Sequence, residues 1–506
     1  MKQIRLWHKK AGLLAALFLF ILGITGYFLN HDQWSFQYQW TLSNQLLPNS
    51  VVKADRKLFQ SKTLHPRKPN WLIVGGMRGA YVSQDGGQTY QLTSRLQIYA
   101  LQWLKLGNHL KLLAATQDGI VQSVDAGLSW QHLALAGEWV NALALSEGQL
   151  LASVNKSELV WLDHNGQILQ RAHVNLPNTE LAEGINLARF VRDMHYGRGL
   201  LDDGWSLWIN DIATWLMLFS IFSGLWIWWQ LRQAKQQKSA SKPHPPLIWV
   251  KRVMSWHSHT IMLVFAPILI LLALTGIVLD HSRTLSKPLK QIQWQQSTLP
   301  PIYSTLRSDI WSVDIQAPSS QGQQSSIFRI GNRYGVYESD DLQHWRKVSD
   351  GFAYRMKRLG ESLYVSGMGS PNRLLKVSNQ NDSSDHIKSQ SKAQQSWMPL
   401  KAPHMFRDAY LNTENQPVFF LGHSRKPLNN QDKAVPVFSD SSFYSLMLTL
   451  HDGTFFADWW VWVNDAASVL LIILLITGMI RWSKRVRWIR SITAFSIMTL
   501  TRLAKK

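Results

Sequence analysis

Trp7-His8, then Leu22-Gly23-Ile24-Thr25-Gly26 and Leu29-Asn30-His31, is answered 249 to 250 residues later by Trp256-His257, Leu272-Ala273-Leu274-Thr275-Gly276 and Leu279-Asp280-His281. The same echo runs through a second pair of segments. Trp208-Ile209-Asn210-Asp211 parallels Trp462-Val463-Asn464-Asp465, and Ser223-Gly224 parallels Thr477-Gly478. Ahead of each lies a histidine followed by x-Gly, His195-Tyr196-Gly197 and His451-Asp452-Gly453. A self-similarity of this kind marks a tandem duplication, and it has to be read before any local feature.

The duplicated segments sit on four apolar runs, Ala11–Asn30, Trp205–Trp229, Met254–Leu279 and roughly Trp459–Ile480. Each approaches or exceeds the ~20 residues that cross a hydrocarbon core about 30 Å thick. Mean hydropathy is only −0.13, because two long polar stretches separate the runs. The first run, preceded by basic residues but followed by no small-x-small cleavage site, reads as an uncleaved signal anchor. The net charge of +21 is unevenly spread. Lys2, Arg5, Lys9 and Lys10 open the chain, six Lys and Arg fill 231–252, and eight follow from Arg481 onward. Short segments rich in Lys and Arg stay in the cytoplasm, so both termini and the middle loop are expected inside and both long stretches outside. The basic balance is thus an orientation signal and gives no argument for nucleic acid. Equal topology of the halves predicts two parallel repeats about an axis along the membrane normal. The Thr-Gly and Ser-Gly pairs read as small residues that let helices approach.

The expected organisation is therefore an α-helical membrane protein with four transmembrane helices as two parallel repeats, carrying extracytoplasmic all-β, propeller-like domains. Its parts are 1–31 (N-terminus and first span), 32–204 (first outer half), 205–230 (second span), 231–252 (basic loop), 253–281 (third span), 282–455 (second outer half), 456–482 (fourth span) and 483–506 (basic amphipathic tail, expected to lie on the anionic inner leaflet). In the outer halves, short apolar segments such as Trp71–Gly76 and Leu112–Ala115 alternate with turn signals. Three turns, Ser83–Tyr90, Ser123–Trp130 and Ser339–Trp345, resemble the Asp-box turn of β-propeller blades, in which the Asp caps backbone amides and Gly supplies positive φ. These are folding devices. Whether the halves build one shared propeller or two β domains stays open, and 378–398, rich in Ser, Gln, Asn and Lys, reads as a flexible insertion.

Cysteine is absent, which excludes disulfides, thiolate metal sites, iron–sulfur clusters and covalent c-type haem. Redox chemistry would fall to the 17 histidines. Six occupy matched positions at span ends: His8 and His257 (with His259 as an alternative), His31 and His281, His195 and His451. Equivalent imidazoles across a twofold axis are where a haem with two axial histidines would sit. Asp211 and Asp465 are candidate acceptors for the ring nitrogens that would not bind iron. His8 and His31 lie about 35 Å apart along one helix at 1.5 Å per residue, so one haem cannot use both. One site per membrane face follows, the inner from His8 and His257. The outer site is either one haem on His31 and His281, one on His195 and His451, or two off the axis.

At these residues the chain resembles the PepSY-associated transmembrane family of bacterial inner-membrane proteins. The Trp-His start, the Thr-Gly then His end, and Asp193-Met194-His195-Tyr196-Gly197-Arg198, similar to the family's Asp-Leu-His-x-Gly-Arg, carry the resemblance. The outer segments carry no PepSY domain pattern, which leaves the substrate open. The resemblance implies haem b, two per chain, with His31, His195, His281 and His451 as outer ligands and His8 and His257 as inner ones. It also implies an inner-membrane reductase passing electrons from a quinol or a cytoplasmic reductase to a periplasmic ferric chelate (siderophore–iron). The competing expectation is a non-enzymatic binding or assembly protein using its outer β domain. No hydrolase, metalloprotease or nucleotide-binding motif is present, and the span pattern argues against a transporter.

Overall fold

The computed structural model describes residues 2–174, 176, 184–201, 203–239, 247–295, 298–304, 309–318, 325–376, 396–422 and 435–503. The chain divides into two compact units: Met1–His31, Ile185–Trp294 and Leu446–Lys506 form one, and Asp32–Gly184 and Gln295–Ser445 the other.

The first unit is helical. Its long helices are Lys2–Asn30, Asp203–Ser239, Thr260–Asp280 and Val461–Leu503. Within them Gln3–Asn30, Gly204–Gln236 and Leu263–Asp280, with Asp458–Ser483 at the fourth, are long and apolar enough to cross a membrane. The first span packs against the second and fourth, and the third packs against the same two, so the four form a ring. Duplicated positions share its core: Leu19 and Leu269, Ala213 and Ala467, and Met217 and Leu471 all belong to one buried cluster. Alanines at these levels let the backbones approach, which is how helices associate where lipid offers no hydrophobic drive.

Three departures from the sequence reading concern boundaries. The third apolar run is not one helix: Leu247–His257 ends, Ser258 and His259 intervene, and Thr260–Asp280 begins. The polar His257-Ser258-His259 sequence competes there with the helical ladder, Ser258 returning its hydroxyl to the Met254 carbonyl at 2.8 Å. The outer halves are also shorter than 32–204 and 282–455, because the short helices Leu187–His195 and the end of Phe443–His451 belong with the spans. The basic tail is continuous backbone helix with the fourth span as far as Leu503, and its side chains lie outside the described residues, as does the greater part of the 378–398 insertion. The last residues of that insertion, 396–398, belong to the strand Ser396–Pro399.

The second unit is β structure built from both outer halves together. Five antiparallel four-stranded sheets and one two-stranded sheet follow in chain order. Their first strands are Phe59–His65, Ile98–Leu106, Val140–Ser146, Ser312–Gln316, Ala353–Leu359 and Asp408–Leu411. Each first strand packs against the next, and the sixth packs against the first. Three sheets come from each half. A short ladder of Thr41–Ser43 with Asp440–Ser442 joins the beginning of the unit to its end.

The three Asp-box-like turns link the third and fourth strands of their sheets. Asp85 accepts the Thr89 amide at 3.0 Å and the Thr89 hydroxyl at 2.6 Å. Asp125 does the same with Ser129 at 2.8 and 2.6 Å. Asp341 accepts the Gln343 and His344 amides, both at 2.8 Å, and the His344 ring at 2.6 Å. Gly87 and Gly127 take φ of 94° and 93°, a conformation open to glycine at little steric cost. In the third turn Leu342 occupies φ 63° without a glycine.

Candidate functional site

All six matched histidines lie in the helical unit. Four of them meet in two pairs. The rings of His195 and His451 have centroids 6.1 Å apart, and those of His8 and His257 have centroids 6.4 Å apart. Each pair takes one member from each half of the chain.

His195 reaches its place because Leu187–His195 is capped at both ends. Asn186 accepts the Arg189 amide at 2.9 Å at the start. At the end Gly197, with φ 65°, reverses the chain, and the Arg198 amide returns to the Asp193 carbonyl at 2.8 Å. Asn210 of the second span then donates to the His195 carbonyl at 3.4 Å, and Asn464 of the fourth span donates to the His451 carbonyl at 3.0 Å. The His-x-Gly and Trp-x-Asn-Asp motifs are thus two parts of one device.

Every paired ring sits on a Thr-Gly or Ser-Gly step of the other half. His451 Nδ1 lies 2.9 Å from the Thr25 hydroxyl, His195 Nδ1 3.1 Å from Thr275, His8 Nδ1 2.9 Å from Thr477 and His257 Nδ1 2.8 Å from Ser223. These four hydroxyls also donate to the carbonyl one turn back, Ile21, Leu271, Ile473 and Phe219, at 2.6, 2.7, 2.7 and 2.6 Å. A hydroxyl has one proton. With that proton spent on the carbonyl, it can only accept from imidazole, so each Nδ1 carries hydrogen and, in the neutral ring, Nε2 keeps its lone pair. The glycines complete the seats: a Cβ on Gly26, Gly276 or Gly224 would stand 3.2, 3.3 and 3.3 Å from the Cε1 of His451, His195 and His257, tighter than ordinary contact.

The remaining pair is placed differently. His31 Nε2 meets Asp211 Oδ2 at 3.0 Å, and His281 Nε2 meets Asp465 Oδ2 at 2.7 Å. The expected acceptors Asp211 and Asp465 therefore serve His31 and His281, and the four facing rings are oriented by hydroxyls instead. His259 lies in the break after Leu247–His257, its amide bonded to the Trp256 carbonyl at 3.0 Å, while the ring beside His8 is that of His257.

Two imidazoles sharing a metal at ~2.0 Å from each Nε2 would have centroids about 6.3 Å apart. The observed 6.1 and 6.4 Å fit that spacing. The fit extends to the donors: each of the four imidazoles is held through Nδ1, and in its neutral form would offer the Nε2 lone pair to a metal. Among the described residues no group of three or more His, Cys, Asp or Glu gathers as a metal cage, so the donor set is bidentate and suits a cofactor that brings its own equatorial ligands, as haem does. The 17 residues from His8 to Thr25 put the two pairs about 25 Å apart along the first span.

The role of the Thr-Gly and Ser-Gly steps escaped the sequence reading, which took them for helix contacts. Their signal was present: they recur in all four spans, and each half holds as many such steps as paired histidines.

No curated protein matches the chain. Among solved structures it is similar to an ancestral GH74 enzyme, at 10% identity over 71% of this chain and 33% of that one, TM-score 0.30. It is also similar to Sqt1 of Saccharomyces cerevisiae, at 11% identity over 72% and 70%, TM-score 0.31. The chain spans about a third of the length of the first of these. The profile of the PepSY-associated TM region matches residues 5–485, taking in all four spans and both facing histidine pairs, and the chain belongs to this family.

Proposed function

We propose that this protein is a haem-containing reductase of the bacterial inner membrane that passes electrons to a periplasmic ferric chelate such as a siderophore–iron complex. The observation that carries the reading is the pair of imidazole couples at 6.1 and 6.4 Å, each with its Nδ1 tied to a hydroxyl. Haem b, two per chain, supplies reversible one-electron chemistry when bound by His195 with His451 and by His8 with His257. The chain's own part is to hold the rings. Hydroxyl bonds fix tautomer and orientation, and glycines admit the rings against the helices. Such outer partners typically change metal affinity 10–100-fold.

The positive-inside rule puts the basic termini and the 231–252 segment in the cytoplasm and the β unit in the periplasm. A quinol or a cytoplasmic reductase is the donor at the His8–His257 end. Reduction releases iron because Fe²⁺ holds to hard oxygen chelators less tightly than Fe³⁺. We read the β unit as a propeller-like body, which the cyclic order of its six first strands supports, and the halves as parallel repeats, which the matched span sequences support. That same body favours a second reading, a membrane-anchored binding or assembly protein, since such folds commonly present interaction surfaces.

The test is an ultraviolet–visible spectrum of the purified protein in detergent, oxidised and dithionite-reduced, with haem quantified per chain. A Soret band that shifts on reduction, with resolved α and β bands and two haems, is expected. A colourless protein from haem-replete cells overturns the reductase reading and leaves the binding one.

A further inference from the structure

A cavity lies within the β unit, bordered by all six first strands or the residues next to them. Its charged lining is one-sided: Arg355, Lys357 and Arg407 face it against a single carboxylate, Asp408. Arg355 and Lys357 are two apart on the strand Ala353–Leu359, so the pleat turns both to the same face. Asp408 is already engaged. It accepts the Ser61 hydroxyl, the Lys62 amide at 3.2 Å and the Lys357 ammonium at 3.3 Å.

Neither guanidinium has an acidic partner among the described residues. Arg355 donates to the Trp311 carbonyl at 3.2 Å and to Gln60 at 3.4 Å, and its Nε is buried without a hydrogen-bond partner. Among the described residues Arg407 donates only to backbone, to the Lys57 and Phe59 carbonyls at 2.7 Å each. Burial, with Arg355 nearby, holds Arg407 below the ordinary arginine range. Two partly buried cations left without a counter-charge are costly. A planar guanidinium with an open N–H edge is also the group that best matches a carboxylate or phosphate oxygen.

We propose that this cavity binds the oxyanion group of a small carboxylate- or phosphate-bearing ligand, gripped by Arg355 and Arg407 with Lys357 alongside. The site stands independently of the haem reading. The shared chemistry is an anionic oxygen, and its source is either a free acid or the same acid carried as a ferric complex.

The test uses the full chain in detergent, with citrate, ferric citrate and inorganic phosphate as probes against chloride at equal ionic strength. Calorimetry and thermal shift are expected to register binding of at least one probe over chloride. Binding of citrate alone as well as ferric citrate identifies a free-acid site; binding of ferric citrate only identifies a chelate site. Arg355→Gln and Arg407→Gln are each expected to weaken it about tenfold or more, the effect of losing one charge-assisted contact. Both variants remove an uncompensated cation and are expected to fold. Should one not, Lys357→Gln serves as the second variant. No shift of the wild-type protein by any probe overturns the proposal, as does unchanged binding in the folded variants. Haem content, measured on the same samples, is expected to be unaltered in all three variants, so a failed anion site and a failed haem site are told apart.

Discussion

His195 and His451, drawn from opposite halves of the chain, stand with ring centroids 6.1 Å apart, and each is bonded through Nδ1 to a threonine of the other half, Thr275 and Thr25. Neither half can complete this arrangement alone. His8 and His257 repeat it with Thr477 and Ser223. The duplication therefore made two composite sites.

Replacing either member of a facing pair is expected to remove one haem and leave the other. His195→Ala or His451→Ala should halve the haem per chain, and so should His8→Ala or His257→Ala; His195→Ala with His8→Ala should abolish it. Pyridine haemochrome assay on purified protein checks this, and a single replacement that removes all colour would refute two independent sites.

His31→Ala is expected to leave haem content unchanged, because the His31 Nε2 is taken by Asp211. The cost should instead appear in stability. Asp211 is buried and would lose the partner of its Oδ2, a loss of about 1–3 kcal/mol. Haem quantification beside thermal unfolding in detergent separates the two effects.

The glycine seats are expected to be unequal. A methyl at Gly26 would stand 3.2 Å from the His451 ring, whereas one at Gly478 would stand 3.9 Å from His8. Gly26→Ala should displace its imidazole and weaken haem retention about tenfold or more, in the range typical of lost outer support. Gly478→Ala should be silent. Haem titration of the apo variants is the measurement.

The Asp85 and Asp341 turns of the β unit are expected to differ in their response to pH. Hydrogen bonds from the Thr89 hydroxyl and amide hold Asp85 well below 3.8, and the His344 ring bond does the same for Asp341. A carboxylate depressed in the folded state stabilises above its unfolded value, and that stability is lost as pH falls through the folded one. His344 is raised above 6.5 by Asp341, so its contribution is full below 6.5 and is lost as pH rises through the folded value. Hydrogen exchange of the two turns should therefore show Asp85 protection steady from neutral pH down past 3.8, and Asp341–His344 protection full at 6.5 and declining as pH rises beyond it. His344→Leu should remove this decline.

Arg329 is fully buried between Asp314 at 3.1 Å and Glu338 at 2.9 Å. Arg329→Ala takes the buried cation from both carboxylates, leaving Asp314 to Arg358 and Glu338 to Arg346, and is expected to cost about 1–3 kcal/mol, read as a lowered denaturation midpoint.

Much of the architecture was legible because the membrane imposes a simple rule on composition. Four runs that stay apolar on every side of a helix announce spans, and the repeated Trp-His and Thr-Gly-to-His patterns announce duplication, without any knowledge of contacts. The Asp-box-like turns were legible for a comparable reason: Ser83 to Tyr90 hold their bonds within eight residues, so local sequence suffices. The break at Ser258–His259 was not, since an apolar run has the same composition whether or not its helix begins afresh.

What the sequence determined by itself is thus the set of spans, the duplicated plan, the six matched histidines and the turns that depend on near neighbours. Only the tertiary structure decided which histidines face each other, that Asp211 and Asp465 serve His31 and His281, that Thr-Gly and Ser-Gly steps seat imidazoles, and that both outer halves build one β unit. Each of these relations joins residues far apart in the chain, such as Thr25 with His451 and Phe59–His65 with Asp408–Leu411. A hydroxyl that orients a ring and a glycine that admits it look the same in sequence as residues that merely let helices touch. Packing alone distinguishes them, because it sets which atom lies within hydrogen-bonding reach.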